Sequence, residues 1–269
     1  MVPALSVLDQ APVPDGSTPA ATLAETLALA RATEALGYRR YWVAEHHGTR
    51  SLAATAPEVL VGAVASCTST IRVGSGGVLL SHYSPLKVAE TFRTLSALHS
   101  GRIDLGVGRT PGADPVTEAA LQYLPGVPGD ERYVEKVVDL LGFLHDRLEP
   151  GHPFERVTAM PDQVVPPKVW MLGSSSHSGA GAAYLGLPFA FAHFITPAFG
   201  AQVVGAYRRG FQPSELLAAP EALVAVGVMC ADTDAEAERL ARSADVWRLR
   251  PEGTGRGPLL SPEDAAAVP

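Results

Sequence analysis

Four stretches of this 269-residue chain carry residue types and spacings that could do chemistry. The first is Trp42-Val43-Ala44-Glu45-His46-His47-Gly48, an acid and two imidazoles at the end of a β-rich run. Adjacent residues on a strand point to opposite faces, so Glu45 and His47 can share a face while His46 takes the other. A metal centre would need a third ligand beside that pair, and none is evident, so no metal is assigned. A histidine, whose ordinary pKa lies near neutrality, suits holding or moving a proton beside a reactive cofactor; the bland alternative has both rings satisfying loop carbonyls. The second stretch is Val73-Gly74-Ser75-Gly76-Gly77-Val78, whose glycines would let a flat ring lie against backbone, or would simply make a turn.

The other two stretches carry phosphate chemistry. Arg109 closes Gly101-Arg-Ile-Asp-Leu-Gly-Val-Gly-Arg109, where its guanidinium either clamps a phosphate bidentately or is solvated. Trp170-Met-Leu-Gly-Ser-Ser-Ser-His-Ser178 runs from a strand into a turn that opens a helix. Free backbone N–H groups and the helix dipole favour an anion there, and Ser174, Ser175, Ser176 and Ser178 add hydroxyls. Ordinary capping explains one of these serines more easily than four. No GxGxxG or GxxxxGK run is present, so the dinucleotide and nucleoside-triphosphate fingerprints are not supported.

The elements that must position these residues alternate short β-rich runs with amphipathic helices, which implies a parallel sheet with crossover helices. Strands are expected at Ala4–Leu8, Arg39–Ala44, Ile71–Ser75, Ile103–Val107, Val169–Leu172, Phe189–Ala192 and Leu223–Cys230. Helices are expected at Thr18–Leu36 with Ser17 or Thr18 as cap, Pro57–Cys67, Pro85–His99 with Ser84 as cap, Glu131–Leu148, Gly179–Leu185, Phe199–Arg209 and Asp234–Asp245. Gly37, Gly101 and Gly186 supply left-handed exits from helix back to strand. Pro111–Gly129 is rich in Pro, Gly and Asp and reads as a long excursion, a potential flap, on the face where barrels keep their sites. The fold class expected is therefore α/β, a TIM (β/α)8-type barrel with seven βα units and no visible eighth strand, because Arg250–Gly257 reads as loop and Leu259–Pro269 as neither strand nor long helix. One domain is expected over 1–269, lacking its C-terminal closing unit.

Composition excludes several functions. Twenty-one basic against 28 acidic residues give a net charge of −7, which argues against a nucleic-acid surface. The N-terminal run reads as no signal peptide, and no apolar run is long enough to span a membrane, so a soluble cytoplasmic protein is expected. Cys67 and Cys230 read as buried small hydrophobes and not as a redox pair. Loops near Gln10, His82, Tyr83 and His193 would line a pocket for a hydrophobic organic substrate.

Taken with Leu5-Ser-Val-Leu-Asp-Gln-Ala-Pro12 and Ser84-Pro-Leu-Lys-Val-Ala-Glu90, these motifs closely resemble the bacterial luciferase-like flavin monooxygenases over nearly the whole chain. The resemblance implies a barrel that uses O2 and reduced FMN, delivered by a separate flavin reductase, through a flavin hydroperoxide. His46 matches the family's catalytic histidine, Gly76-Gly77 the site of a non-proline cis peptide under the flavin ring, and Arg109 with the Ser174–Ser178 turn the two halves of a phosphate site. Gly108 stands where the luciferase has a reactive cysteine, which speaks against light emission. Relatives are commonly homodimers, and the composition would suit secondary metabolism. Two alternatives stay open: a flavin-binding barrel without catalysis, and hydride transfer with a deazaflavin.

Overall fold

The computed structural model describes residues 3–109, 112–122, 132–250 and 257–268. Its frame is a single sheet of seven parallel strands in sequential order: β1 Ser6–Asp9, β2 Arg40–Val43, β3 Arg72–Leu79, β4 Ile103–Gly108, β5 Lys168–Gly173, β6 Phe189–Ala192 and β7 Ala222–Ala225. Parallel neighbours require long crossovers, and helices supply them: α1 Pro19–Ala35, α2 Pro57–Cys67, α3 Pro85–Leu98, α4 Pro115–Gln122, α5 Tyr133–His145, α6 Ser176–Tyr184, α7 Gly200–Gly210 and α8 Asp234–Leu249, followed by a short α9 Pro262–Ala266. The result is a nearly closed barrel in which, among the described residues, β7 and β1 are left as edges.

Local chemistry fixes many of the boundaries. Thr18 caps α1 by accepting from Ala21 N at 3.1 Å, and Gly37, Gly101 and Gly186 take φ of +79°, +75° and +61° where chain turns back into the barrel. Other expectations need correction. Ser84 makes no capping hydrogen bond at the start of α3. The strand expected at Ala4–Leu8 begins only at Ser6, where pairing with Arg40 starts. The strand expected at Ile71–Ser75 continues to Leu79, because β4 offers partners beyond the glycines after a register shift between Gly76 and Val78. The strand expected at Leu223–Cys230 stops at Ala225, where its pairing with β6 ends; Val226 and Val228 are more than half exposed. The helix expected at Gly179–Leu185 starts at Ser176 because Ser175 caps it, and Glu131–Leu148 shortens to α5, ended by Asp146 at φ +54°. The helix expected at Asp234–Asp245 runs on to Leu249. Part of the expected excursion is helical: Asp114 accepts from Val116 N and Thr117 N and starts α4. Pro111, residues 123–131 and residues 251–256 lie outside the described residues.

Alternation along each strand divides the interior in two. Outward residues such as Tyr41, Val43, Val73, Leu105, Val107, Val169, Met171, Phe189 and Phe191 form the main core beneath the helices. Inward residues form a smaller cluster in the lumen, where Trp42, Trp170 and Ala190 meet Leu8, Leu172 and Leu223. Below that cluster, toward the N-terminal strand ends, Asp104 is fully buried and accepts from Arg40 Nε at 3.0 Å, Arg72 Nε at 2.9 Å and Trp42 Nε1 at 3.1 Å. The cations Arg40 and Lys168 also face the Trp170 ring at 5.0 and 5.2 Å. Burial pushes the Arg40 pKa down while Asp104 opposes it, so the pair holds its charge only as a unit. The floor of the lumen is thus plugged by a paired charge network, and its opposite, C-terminal mouth is left for chemistry.

Candidate active site

Each sequence motif lands at the C-terminal mouth, one strand end apiece. The Gly76–Gly77 peptide, within β3, is cis. A Cβ on Gly76 would stand 2.6 Å from Leu8 Cδ1, the movable end of a side chain, whereas one on Gly77 would stand 2.7 Å from the Gly106 carbonyl, so backbone packing of β3 on β4 requires glycine at 77. Gly108, at the end of β4, has no atom of the described residues within 4 Å of its missing Cβ.

Arg109 follows directly and is exposed. The β4–β5 ladder ends with Val107 paired to Met171, two residues before Arg109, whose carbonyl accepts from Ser81 Oγ at 3.0 Å. Just past Gly173, Ser175 caps α6: its Oγ accepts from Ser178 N at 3.3 Å and lies 3.0 Å from Ser178 Oγ. The cap uses one hydroxyl hydrogen of that pair, so one of the two serines can still donate outward. Ser174, Ser176 and the N-terminal N–H groups of α6 stand past the end of β5, the strand next to β4. A guanidinium, serine hydroxyls and a helix N-terminus at the ends of adjacent strands are donor types that would suit a phosphate monoester such as that of FMN.

The β2 end is the most strongly constrained part of the mouth. Glu45 is 3 % exposed, and its carboxylate accepts from Leu79 N at 2.8 Å, Tyr83 Oη at 2.5 Å and His47 Nε2 at 2.8 Å. Burial, and then the bond to Glu45, push the Tyr83 pKa up, which keeps its hydroxyl protonated as a donor. Tyr83 therefore braces the site through its hydroxyl. The His82 ring stands edge-on to His47 and Tyr83, with centroids 6.4 and 6.3 Å away. Backbone bonds hold this segment too: His46 N donates to Ala54 O at 3.0 Å, and His47 N donates to Gly112 O at 3.1 Å.

The remaining expected pocket residues lie on the flanks. Gln10 follows β1, where Asp9 accepts from Ala11 N, Thr26 Oγ1 and Tyr41 Oη at 2.7, 2.7 and 2.6 Å and holds Ala11 at φ +48°. His193 follows β6 and packs on Phe191 with centroids 6.4 Å apart. Sequence reasoning missed the roles of Asp9 and Glu45 as buried anchors. The available signal was a carboxylate at the end of an apolar strand, which demands compensating donors nearby. A crevice of about 340 Å³ on the opposite face touches Arg72, His145 and Lys168, but Arg72 is paired with Asp104 and Lys168 with Glu221. No helix among the described residues is long and apolar enough to cross a membrane.

Comparison with known proteins agrees with this geometry. Residues 4–264 match the family model described as luciferase-like monooxygenase. The chain is 47% identical over 269 residues to the Bacillus subtilis protein YceB, covering 98% of this chain and 80% of that protein. It is 42% identical over 237 residues to the N-acetyl-S-alkylcysteine monooxygenase of Bacillus subtilis, covering 87% of this chain and 70% of that enzyme. The crystal structure of apo-MsnO8 superposes with a TM-score of 0.90 at 43% identity, covering 98% of this chain and 78% of that one. The chain belongs to the luciferase-like monooxygenase family of oxidoreductases.

Proposed function

We propose that this protein binds reduced FMN at the C-terminal mouth of its barrel and uses O2 to oxygenate a largely hydrophobic organic substrate. The observation that carries the reading is that Arg109 follows β4 and the serine-rich N-terminus of α6 follows the adjacent strand β5, on the same rim as Gly76-Gly77 and His46. Bound reduced flavin supplies the two electrons that activate O2. The chain does the rest. Arg109, Ser174 and Ser176 hold the phosphate, the backbone of Gly76 and Gly77 supports the ring, and an imidazole nitrogen of His46 holds or moves a proton beside it. The loops carrying Gln10, His82, Tyr83 and His193 orient the substrate and exclude water, which favours oxygen transfer over peroxide release. A separate flavin reductase delivers the reduced cofactor, and a homodimer is the proposed assembly.

Turnover under 18O2 tests the reading, with reduced FMN, a flavin reductase and a panel of apolar substrates. N-acetyl-S-alkylcysteines belong in the panel because a relative is named for acting on them. One labelled oxygen atom in the product supports it. Binding of a deazaflavin in preference to FMN, with hydride transfer and no label, would replace it.

A further inference from the structure

We propose that Glu45 is the positioning residue of this site, fixing the presentation of His46; the proposal rests on the catalytic role given to His46 above. His46 sits between two residues that are tied to each other, since Glu45 Oε1 holds His47 Nε2 at 2.8 Å. Residues i and i+2 of an extended segment share a face, so a staple between positions 45 and 47 turns the side chain at 46 the other way. The staple is itself anchored. Its carboxylate also takes Leu79 N, at the end of β3, and Tyr83 Oη, in the turn that leads to α3. The backbone of the same three residues is seated on the far sides by Ala54 O and Gly112 O. Gly112 fits there closely, because a Cβ on it would stand 2.5 Å from Leu79 Cδ1 and 3.3 Å from Glu45 O.

One buried carboxylate thereby joins the β2 end, the β3 end and the β3–α3 turn, with the chain at Gly112 held by the neighbouring N–H. Three donors on a single carboxylate are more than a surface histidine would need as a partner. With only the Tyr83 bond and the His47 pair, Glu45 would read as a local ion pair; the bond to Leu79 N makes it a junction between strands. A residue that binds no substrate and instead holds three segments around His46 acts through His46.

The test is a double-mutant cycle, read on both the apoprotein and the enzyme. Glu45→Gln keeps the shape but has a single acceptor oxygen, so it can serve Leu79 N or the Tyr83 and His47 side, not both, and it removes the charge that holds His47. In the apoprotein, the expected result is at least tenfold faster amide hydrogen exchange at His46 and His47, with Leu105 in β4 unchanged. In turnover, E45Q is expected to lower kcat at least tenfold with KM and the FMN dissociation constant within threefold, and to add no further loss in a His46→Ala background. Tyr83→Phe removes one of the three donors without touching the charge, and is expected to give a smaller loss in the same direction. Unchanged exchange at His46, or an E45Q loss of equal size with and without His46, overturns the positioning role while leaving His46 in place. Wild-type kcat and coupling in His46→Ala alone would instead sink the role of His46, and the inference with it.

Discussion

At the scale of single residues, the mouth separates groups that face a ligand from groups that hold them. Arg109 is exposed, whereas Glu45 and Asp9 are buried under three donors each. This division gives two predictions. Arg109→Ala removes a charge-assisted phosphate contact worth about 1.5–3 kcal/mol, so FMN affinity should fall about 10- to 100-fold while riboflavin affinity, measured in the same fluorescence titration, stays unchanged. His46→Ala should bind FMN normally yet release most of the consumed oxygen as hydrogen peroxide, read by an oxygen electrode with catalase. Equal losses for FMN and riboflavin in the first case, or full coupling in the second, would remove those residues from their roles. The histidines, the glycines, Arg109 and the serine turn were legible in the sequence because each motif sits where a strand pattern breaks. The helix cap that Ser175 and Ser178 form together was not, since capping and ligand binding draw on the same hydroxyls. Tyr83 was read as pocket lining; only the folded contact reveals its bond to Glu45.

At the scale of elements, the approach of β3 to β4 shapes the mouth, while the exit from α1 fastens the opposite, N-terminal end of β3. Gly106 has no room for a Cβ, which would run into the Ser75 carbonyl of the neighbouring strand. Gly106→Ala must push backbone from backbone, and should cost about 1–3 kcal/mol in urea unfolding. A cost below 0.5 kcal/mol would mean the two strands can part freely. Glu34, near the end of α1, accepts from Ser69 N, Thr70 N, Thr70 Oγ1 and Ile71 N and so fastens the start of β3. Those bonds lower its pKa from 4.5 to about 2. A depressed folded-state pKa gives stability that is present above 4.5 and lost as pH falls through about 2. The stability gap between wild type and Glu34→Gln, about 1 kcal/mol after solvent screening, should therefore close over that range; a gap that is constant with pH contradicts the assignment. Element order and type followed from alternation, but the end of β7 did not. Val226–Cys230 keeps an apolar, strand-like pattern, yet a strand exists only where a neighbour pairs with it, and pairing with β6 stops at Ala225. The α4 helix was hidden because its cap, Asp114, lies within a run of Pro and Gly that otherwise reads as loop.

At the scale of the whole molecule, the barrel has a stability end and a chemical end. Asp104 is the main anion against buried Arg40 at the floor, where Glu221 stands farther off at 3.5 Å and Arg72 is partly exposed, so Asp104→Asn should cost about 3 kcal/mol by denaturant unfolding. FMN affinity of the fraction that remains folded should be unchanged, because the phosphate donors stand at the other end of the strands; a matching loss of affinity would tie floor and mouth together. The seven-stranded count and the open β7 and β1 edges followed from the sequence, and the tail adds a backbone bond from Leu259 N to Val13 O, which ties it to the chain just after β1. The central claim is that this mouth binds reduced FMN and commits it to oxygen transfer. An anaerobic titration with reduced FMN, followed by rapid mixing with O2 and substrate, tests it most directly. The account predicts saturable binding with one flavin per chain and product formed in step with oxygen consumed. No binding of reduced FMN, or flavin reoxidation at the rate of free flavin with no product from any substrate tried, would contradict it.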